Sequence, residues 1–223
     1  MIQIIDGTNA RHFRELLRAF SALRYDVFVG KMGWRLPCRE PGFEEDDFDD
    51  ENATYLISSD GNGQVMGGAR LLDTSRRSLL AEVFPYLVNG PSPADPKVFE
   101  VTRFLAAPRE RMTATAGNVC MELLWGLQAF GVWAGLTHLV SVSHLGIEPI
   151  LRRAGYRFRR LGEIREMDGL RIAALQHEVD VEVLEQLQQR VSEGCGFATP
   201  RGHVAPQHPA GACCCGRVRT GEH

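Results

Sequence analysis

The sequence lacks the features that would place it in several large classes of proteins. No uninterrupted apolar run approaches the roughly 20 residues that a membrane-spanning helix needs. The first residues carry neither a basic segment nor a signal-like apolar stretch, so we expect a cytoplasmic protein without a membrane partner. A net charge of −3 leaves no basic excess, which argues against a general nucleic-acid binder.

Cysteine spacing typical of a metal site is also missing. None of the six cysteines belongs to a C-x-x-C pair, and those at positions 213–215 are adjacent near the end of the chain. We therefore expect free thiols and no metal site. Metal capture or disulfide chemistry by the terminal cysteines is the alternative.

The spacing of apolar residues predicts a single mixed α/β domain. After a first helix come several strands, and then strands and helices alternate, which is typical of one mixed sheet with helices on both faces. At residues 30–52 this spacing gives way to glycine and proline, and such a long irregular segment is usually a binding loop. The predicted helices cover residues 11–29, 119–136, 147–154 and 181–191. The predicted strands cover residues 53–59, 64–73, 98–106, 137–143, 156–161 and 170–178.

The end of the chain differs from the rest in composition. From Gly194 onward glycine and proline are frequent, and almost no apolar pattern is visible. The sequence therefore predicts one domain over residues 1–193, followed by a flexible tail over residues 194–223.

Two charged residues interrupt the predicted strand at residues 98–106. Glu100 and Arg103 lie among apolar residues, and charges rarely enter a buried sheet unless they are paired or functional. Their spacing places them on opposite faces of a regular strand, and only a bulge or bend would bring them together. The many acidic residues of segment 40–51 offer partners for arginines. The pattern indicates an enzyme site whose carboxylates handle protons or a cation.

These two residues belong to a longer pattern, which covers residues 23–155 and resembles that of the N-acyl-homoserine lactone synthases, the bacterial autoinducer synthases. Residues 151–156 also resemble the late helix-to-strand turn of the N-acetyltransferase superfamily, so the resemblance implies that fold. All eight charged or aromatic positions of the family pattern hold the expected residue type, namely Arg24, Phe28, Trp34, Asp46, Asp49, Arg70, Glu100 and Arg103.

The resemblance implies an acyltransferase reaction. In that family the amine of S-adenosylmethionine attacks an acyl thioester to form an amide. The methionine carboxylate then closes the lactone and expels methylthioadenosine. S-adenosylmethionine is thus a substrate, and no cofactor is implied. The amine must lose a proton before it attacks, and our candidate for the general base is Glu100, acting directly or through one water.

The resemblance gives the neighbouring charges two alternative roles. Asp46 and Asp49 either neutralise the ammonium or sulfonium charge of the substrate, or brace Arg24, Arg70 and Arg103 in a charge network. A network of this kind would order the long loop over the site.

The aromatic and hydroxyl residues are candidates for substrate contacts. Phe28 and Trp34 suit a wall against the adenine or the sulfonium, because a cation over an aromatic face gains about 0.5–2 kcal/mol. Phe104, Ser141 and Ser143 are candidates for contact with the acyl substrate. Further apolar candidates for the acyl slot are Leu123, Trp125, Leu127, Phe130, Val140, Val142, Leu145 and Leu151, most of which we expect to be ordinary core.

The family's usual acyl donor is an acidic acyl carrier protein, and some members use acyl-coenzyme A instead. Six arginines lie between residues 152 and 165, and such a cluster would steer an acidic partner. Arg152, Arg153 and Arg157 are the candidate docking residues, and a solvated arginine face is the alternative.

Two other functions compete with this interpretation. An N-acetyltransferase would bind pyrophosphate through a glycine-rich turn, but residues 107–117 lack paired glycines. A non-catalytic module that binds a carrier protein or a small ligand would not need Glu100.

Overall fold

The computed structural model describes residues 1–36, 38–60, 62–107 and 119–194. In these ranges no helix combines the length and apolar character needed to cross a membrane. The strands are β1 (Ile2–Ile5), β2 (Thr54–Ser59), β3 (Val65–Asp73), β4 (Val98–Ala106), β5 (His138–His144), β6 (Phe158–Arg160), β7 (Arg165–Met167) and β8 (Leu170–Glu178). The helices are α1 (Arg14–Arg24), α2 (Leu79–Glu82), α3 (Val119–Trp133), α4 (Glu148–Ala154) and α5 (Val181–Gly194).

All eight strands form one mixed sheet. Their order is β1-β2-β3-β4-β5-β8-β6, and β7 pairs with β8. Every pairing is antiparallel except that of β4 with β5. The parallel pair therefore lies in the middle of the sheet, with β3 on one side and β8 on the other.

Helices cover both faces of this sheet, as the sequence predicts. On one face Phe20 of α1 packs against Ile57 and Leu105. On the other face Leu127 of α3 packs against Leu56, and α5 packs beside α3 against β8. We call these the α1 face and the α3 face. The expected single mixed-sheet α/β domain is confirmed.

The observed elements differ from the predicted ones mainly in short or irregular segments. The helix predicted at 11–29 is α-helical only in α1, and it continues as a π-helical segment, Tyr25–Lys31. Strands β1 and β7 and helix α2 were not predicted, because three or four residues are too few to establish a periodicity. The predicted tail beyond Gly194 lies outside the described residues, and so does most of the stretch 107–117.

A bulge in β4 brings Arg103 onto the face that carries Glu100. Gly68 and Arg70 of β3 pair with Leu105 and Thr102, so two residues of β4 lie opposite one residue of β3. Arg103 adopts a left-handed conformation with φ of 52° at this point. The extra residue shifts the alternation by one position, so that Arg103 joins the α1 face.

Strands β4 and β5 separate just beyond Glu100. They pair only at Val98–Glu100 with His138–Val140, although both strands continue further. The sheet therefore has a split between the last part of β4 and the last part of β5, and Glu100 lies where the split begins.

Gly68 tests how tightly α1 packs on the sheet. A Cβ at this position would lie 2.7 Å from the Leu56 carbonyl oxygen and 2.7 Å from Cε2 of Phe20. We expect Gly68→Ala to lower the free energy of unfolding by about 1–3 kcal/mol, measured in urea. Gly30→Ala is the control, because the nearest atom to its Cβ would be 3.8 Å away. Equal effects of the two substitutions would contradict the packing described.

Candidate active site

Helix α1 ends where the first site residues begin. Arg24 is its last residue, and the π-helical segment then places Phe28 on the inner side. The rings of Phe28 and Trp34 stack at 5.1 Å with an interplanar angle of 6°. The Trp34 amide also donates to the Phe28 carbonyl, at 2.9 Å, which fixes the loop against the helical segment.

The acidic loop that follows is held against α1 by backbone and side-chain contacts. The hydroxyl of Ser21 donates to the Glu44 carbonyl at 2.9 Å, and the Glu44 amide donates to the Ser21 carbonyl at 3.2 Å. Inside the loop, the Asp46 amide donates to Oδ2 of Asp49 at 2.8 Å. These bonds turn three carboxylates inward from one loop.

Three arginines and three carboxylates form one buried charge network, which consists of Arg24, Arg70, Arg103, Glu44, Asp46 and Asp49. The arginines come from α1, β3 and the β4 bulge, and all the carboxylates come from the loop.

The contacts of the network are mostly bidentate or shared. Both terminal nitrogens of Arg24 bind Asp49, at 2.7 and 2.8 Å. Arg70 Nη2 binds Asp46 at 3.0 Å, and Arg70 Nη1 binds Asp49 at 3.0 Å. Arg103 Nη2 lies 2.9 Å from Glu44 and 2.7 Å from Asp46. Every charge in the network therefore has at least one opposite charge in contact.

The network is almost sealed from solvent. Arg24 is 1% exposed, and Arg70 and Glu44 are 0% exposed. The side chains of Arg103 and Asp46 reach 9% and 10% exposure, and that of Asp49 reaches 8%. Arg103 and Asp46 are therefore the part of the network best placed to meet a ligand.

Ionisation of the network aspartates is strongly favoured. Burial by itself raises the pKa of Asp49, but the hydrogen bonds and charge of Arg24 outweigh it and hold that pKa well below its usual range. Burial also raises the pKa of Asp46, but the hydrogen bonds and charge of Arg70 outweigh this effect and lower the pKa. Both carboxylates are consequently poor proton acceptors near neutral pH.

Glu100 lies in a different environment on the same sheet face. It is 0% exposed, and it pairs across the strands with Leu72 and Val140. The Leu80 amide at the start of α2 donates to its two carboxylate oxygens, at 3.0 and 3.2 Å. Within the ranges that the structure covers, no arginine forms an ion pair with it.

Burial raises the pKa of Glu100 to about 7, and amide donors of α2 offset only part of this effect. Glu100 is two residues from Thr102, which accepts from Arg70 Nε at 3.0 Å. The carboxyl group therefore lies roughly 7 Å along the strand from the network. The charges of the network are fixed and sum to zero. A carboxyl group beside them that has a pKa near 7 can act as a general base.

Three other predicted residues lie on the opposite face of the sheet. Phe104 packs with the core under α3. Ser141 and Ser143 follow the last β4–β5 pair, and their hydroxyl oxygens are 3.4 Å apart. The Ser141 hydroxyl is also 3.0 Å from Nε2 of His177. These residues therefore face α3, whereas Glu100 and the network face α1.

The predicted docking arginines lie on α4 and just before β6, and Arg152 and Arg157 have carboxylate partners of their own. Arg157 binds Asp180 at 2.9 Å and Glu182 at 3.0 Å. Arg152 pairs with Glu148 at 3.0 Å, whereas Arg153 donates to the Pro149 carbonyl at 3.3 Å.

Sequence reasoning assigned no role to Glu44, Tyr55 or His177. Glu44 is one of eight acidic residues among the twelve at positions 40–51, so charge alone does not single it out. Tyr55 donates to Asp49 at 2.7 Å, and although it matches the family pattern, its place in an apolar strand does not indicate this contact. Within the described part of the chain, no group of three or more His, Cys, Asp or Glu side chains could hold a metal ion.

Asp49→Asn tests whether the network stabilises the fold. The substitution keeps the shape of the side chain but leaves the buried Arg24 without full charge compensation. We therefore expect the free energy of unfolding, measured in urea at pH 7, to fall by about 3–5 kcal/mol. Because Asp49 has a lowered pKa, this stabilisation is present above its ordinary pKa of 3.8 and is lost at lower pH. The difference from wild type should therefore narrow in acid.

Asp47→Asn is the matched control, because its side chain is 87% exposed and its ion pair with Arg39 lies at the surface. A similar loss for both variants, or no loss for either, would contradict the role assigned to the network.

The chain is similar to known proteins along most of its length. The family model for autoinducer synthases matches residues 9–187. An acyl-homoserine-lactone synthase of Acinetobacter nosocomialis is 36% identical over 175 residues, which cover 75% of this chain and 94% of that protein.

Solved structures agree with the sequence comparison. The CoA-dependent acyl-homoserine lactone synthase BjaI is 28% identical and superposes with a TM-score of 0.79, over 86% of this chain and 89% of BjaI. Its structures contain S-adenosylmethionine with isopentyl-CoA, or methylthioadenosine. An N-acetyltransferase from Lactobacillus plantarum, 17% identical with a TM-score of 0.51 over 80% of this chain and 99% of its own, shares the fold alone. The chain belongs to the autoinducer synthase family and is an acyl-homoserine-lactone synthase.

Proposed function

We propose that the chain joins S-adenosylmethionine to an acyl thioester, with Glu100 as the general base. The amine nitrogen forms a bond to the thioester carbonyl carbon, and the thiol leaves. The methionine carboxylate then attacks its own γ-carbon, the bond from that carbon to sulfur breaks, and methylthioadenosine leaves. The observation that carries the proposal is the position of Glu100, which is buried where β4 and β5 separate and has a pKa raised to about 7.

Proton removal is the step in which this chain's own residues act most directly. An α-amino group has an ordinary pKa of roughly 7.7–8.0, so most of it is protonated at pH 7. Glu100, whose pKa is about 7, takes this proton directly or through one water. Asp46 and Asp49 do not compete for it, because their arginine partners keep them ionised.

The charge network and the stacked aromatic rings organise the substrate around the base. The network is already internally neutral, so its main role is to brace the loop at residues 38–51. Arg103 and Asp46 form its least buried end and meet the polar groups of the substrate. The Phe28–Trp34 stack supplies an aromatic surface for the adenine or the sulfonium, worth about 0.5–2 kcal/mol for a cation.

The acyl group enters the split between β4 and β5. Its thioester lies near Glu100 on the α1 face, and its hydrocarbon portion passes Phe104 towards the α3 face. There the core under α3 offers apolar surface, and Ser141 and Ser143 offer hydroxyl groups.

The donor is an acyl thioester of coenzyme A or of acyl carrier protein, and surface charge favours the smaller donor. Residues 148–194 hold eight arginines and nine acidic residues, so the arginine cluster lies in a segment of net charge −1. Three carboxylates lie within 4.0 Å of Arg157. A surface of this kind steers an acidic protein only weakly.

Glu100→Gln tests the general base. We expect turnover to fall by about 10²- to 10⁴-fold, the usual contribution of general base catalysis, while calorimetry shows S-adenosylmethionine binding largely retained. In the wild type, kcat should rise with pH to a plateau above about 7, whereas the variant should lack this rise. Glu82→Gln, a surface carboxylate on α2 that pairs with Arg77, is the control and should retain full turnover.

The same substitution has an effect on stability whose sign follows from the raised pKa. The fold favours the protonated form of Glu100, because burial raises the pKa of this group. The contribution of the protonated group to the free energy of unfolding is therefore complete below its ordinary pKa of 4.5, and it is lost as the pH rises through about 7. Glu100→Gln should therefore gain thermal stability relative to wild type between pH 5 and pH 8.

Unchanged turnover in Glu100→Gln, together with an unchanged pH profile of kcat, would contradict the assignment of the base.

The reaction itself is tested with one acyl group on both carriers. The chain should convert S-adenosylmethionine and hexanoyl-coenzyme A to hexanoyl-homoserine lactone and an equal amount of methylthioadenosine, identified by mass. With hexanoyl carrier protein, kcat/KM should change less than about threefold between low and high salt, because long-range steering is weak.

Two results would contradict the proposal. Acetyl transfer from acetyl-coenzyme A to an amine without S-adenosylmethionine would indicate an N-acetyltransferase. A steep fall of kcat/KM for the carrier protein with added salt would show that the arginines do dock it.

A further inference from the structure

Helix α2 is too short to hold its own first turn. It has four residues, and its backbone hydrogen bonds include those from Glu82 to the Ser78 carbonyl at 3.1 Å and from Val83 to the Leu79 carbonyl at 2.7 Å. A single turn is not stable alone, because its first hydrogen bond must order several residues at once. The geometry of α2 therefore depends on side chains that bind its free backbone groups.

Ser78 and Glu100 share the free amide groups at the start of α2. Ser78 precedes the helix with extended backbone angles, φ of −147° and ψ of 147°, and its hydroxyl oxygen accepts from the Ala81 amide at 3.1 Å. The Leu80 amide, one residue earlier, donates to both carboxylate oxygens of Glu100. Loss of a serine N-cap of this kind weakens the first turn of a helix. Ser78 therefore holds the turn from which the Leu80 amide reaches Glu100.

The cap lies in the interior of the protein. Ser78 is 1% exposed, so its oxygen meets little competition from water for the Ala81 amide. Leu80 is also 1% exposed, and its side chain packs with Val98 and Val140 of the sheet. The side chain of Leu80 thus fixes the distance of α2 from the sheet, while Ser78 fixes the direction of the amide groups.

The contact from α2 favours the ionised form of Glu100. A carboxylate accepts through both of its oxygens, as the Leu80 amide requires, whereas protonation turns one oxygen into a donor. Hydrogen bonds to the charged form lower the pKa of a carboxyl group. The amides of Leu79 and Leu80 have this effect on the pKa of Glu100, against the larger effect of burial.

The other groups around Glu100 influence its ionisation less. Arg70 of β3 and Arg103 of the β4 bulge also lower its pKa, but their charges contribute less than the α2 amides do. Glu82 of α2 lies in an ion pair at the surface, and β5 places the apolar Val140 beside Glu100. Among the residues that the structure describes, the amides of α2 are therefore the strongest partners of the charged form.

We propose that Ser78 is a positioning residue for the general base, because its hydroxyl oxygen holds α2 where the Leu80 amide keeps Glu100 able to accept a proton. Without this oxygen the amide donates less well, and the carboxyl group stays protonated up to a higher pH. Ser78 needs no contact with the substrate for this role. The inference rests on the proposed function, in which Glu100 is the base, and adds a residue that acts through Glu100.

Ser78→Ala tests the cap through the pH profile of turnover. In the wild type kcat should rise with a midpoint near 7, and in the variant this midpoint should move upward by about 0.5–1 pH unit, as partial loss of one amide hydrogen bond allows. At pH 6 the variant should therefore turn over about three- to tenfold more slowly than wild type, whereas at pH 9 the two should be nearly equal. A purely structural role would lower the melting temperature and leave the midpoint in place.

A matched pair of substitutions controls for packing. Ser78→Thr and Ser78→Val introduce side chains of similar shape, and only threonine keeps the hydroxyl oxygen of an N-cap. Ser78→Thr should restore a midpoint near that of the wild type, whereas Ser78→Val should raise it. This pair decides the question if Ser78→Ala does not fold. Ser75→Ala is the surface control, because Ser75 is exposed and its hydroxyl donates to Asp73 at 2.7 Å, and its midpoint should not move.

The outcomes separate this inference from the proposed function. The infrared band of protonated Glu100, identified by its loss in Glu100→Gln, reports the same midpoint without turnover. A wild type that forms no lactone, or whose kcat has no midpoint near 7, would reject the proposed function. An ordinary wild-type profile with an unmoved midpoint in Ser78→Ala and Ser78→Val would overturn the inference. A carboxyl band that titrates identically in wild type and Ser78→Ala would overturn it as well.

Discussion

The structure depends on the neutralisation of three buried arginines by one loop. Arg24, Arg70 and Arg103 come from a helix, a strand and a bulge. Each is too buried for water to solvate its charge. A buried charge without a partner costs several kcal/mol, so the acidic loop cannot leave without destabilising the sheet beneath it. The same contacts that complete the fold therefore order the acidic loop.

Environment divides the carboxylates of the site into two classes. Asp46 and Asp49 have guanidinium partners and remain ionised, whereas Glu100 lies in the centre of the sheet and, among the described residues, is hydrogen-bonded by backbone amides of α2. The three side chains have similar ordinary pKa values. Arginine partners lower the pKa values of Asp46 and Asp49, whereas burial raises that of Glu100. This separation places the structural charges beside the proposed proton acceptor, whose pKa is near neutral.

Sequence patterns predict much of this fold, because most strands and helices are long enough to show a period. Strands β4 and β8 and the glycine that ends α4 follow directly from local pattern. The bulge at Arg103 does not, since it depends on pairing with β3. The part played by Glu44 and the hydrogen bonds from α2 to Glu100 also require tertiary contacts that no local pattern encodes.

The central claim is that Glu100 exchanges a proton near neutral pH while the network aspartates do not. Isotope-edited infrared spectroscopy measures this directly, as the difference between wild type and Glu100→Gln across a pH titration. We predict a protonated carboxyl band at pH 5 that disappears with a midpoint near 7 and is absent from the variant. A band already lost at pH 5, or one that titrates identically in the variant, would contradict the account.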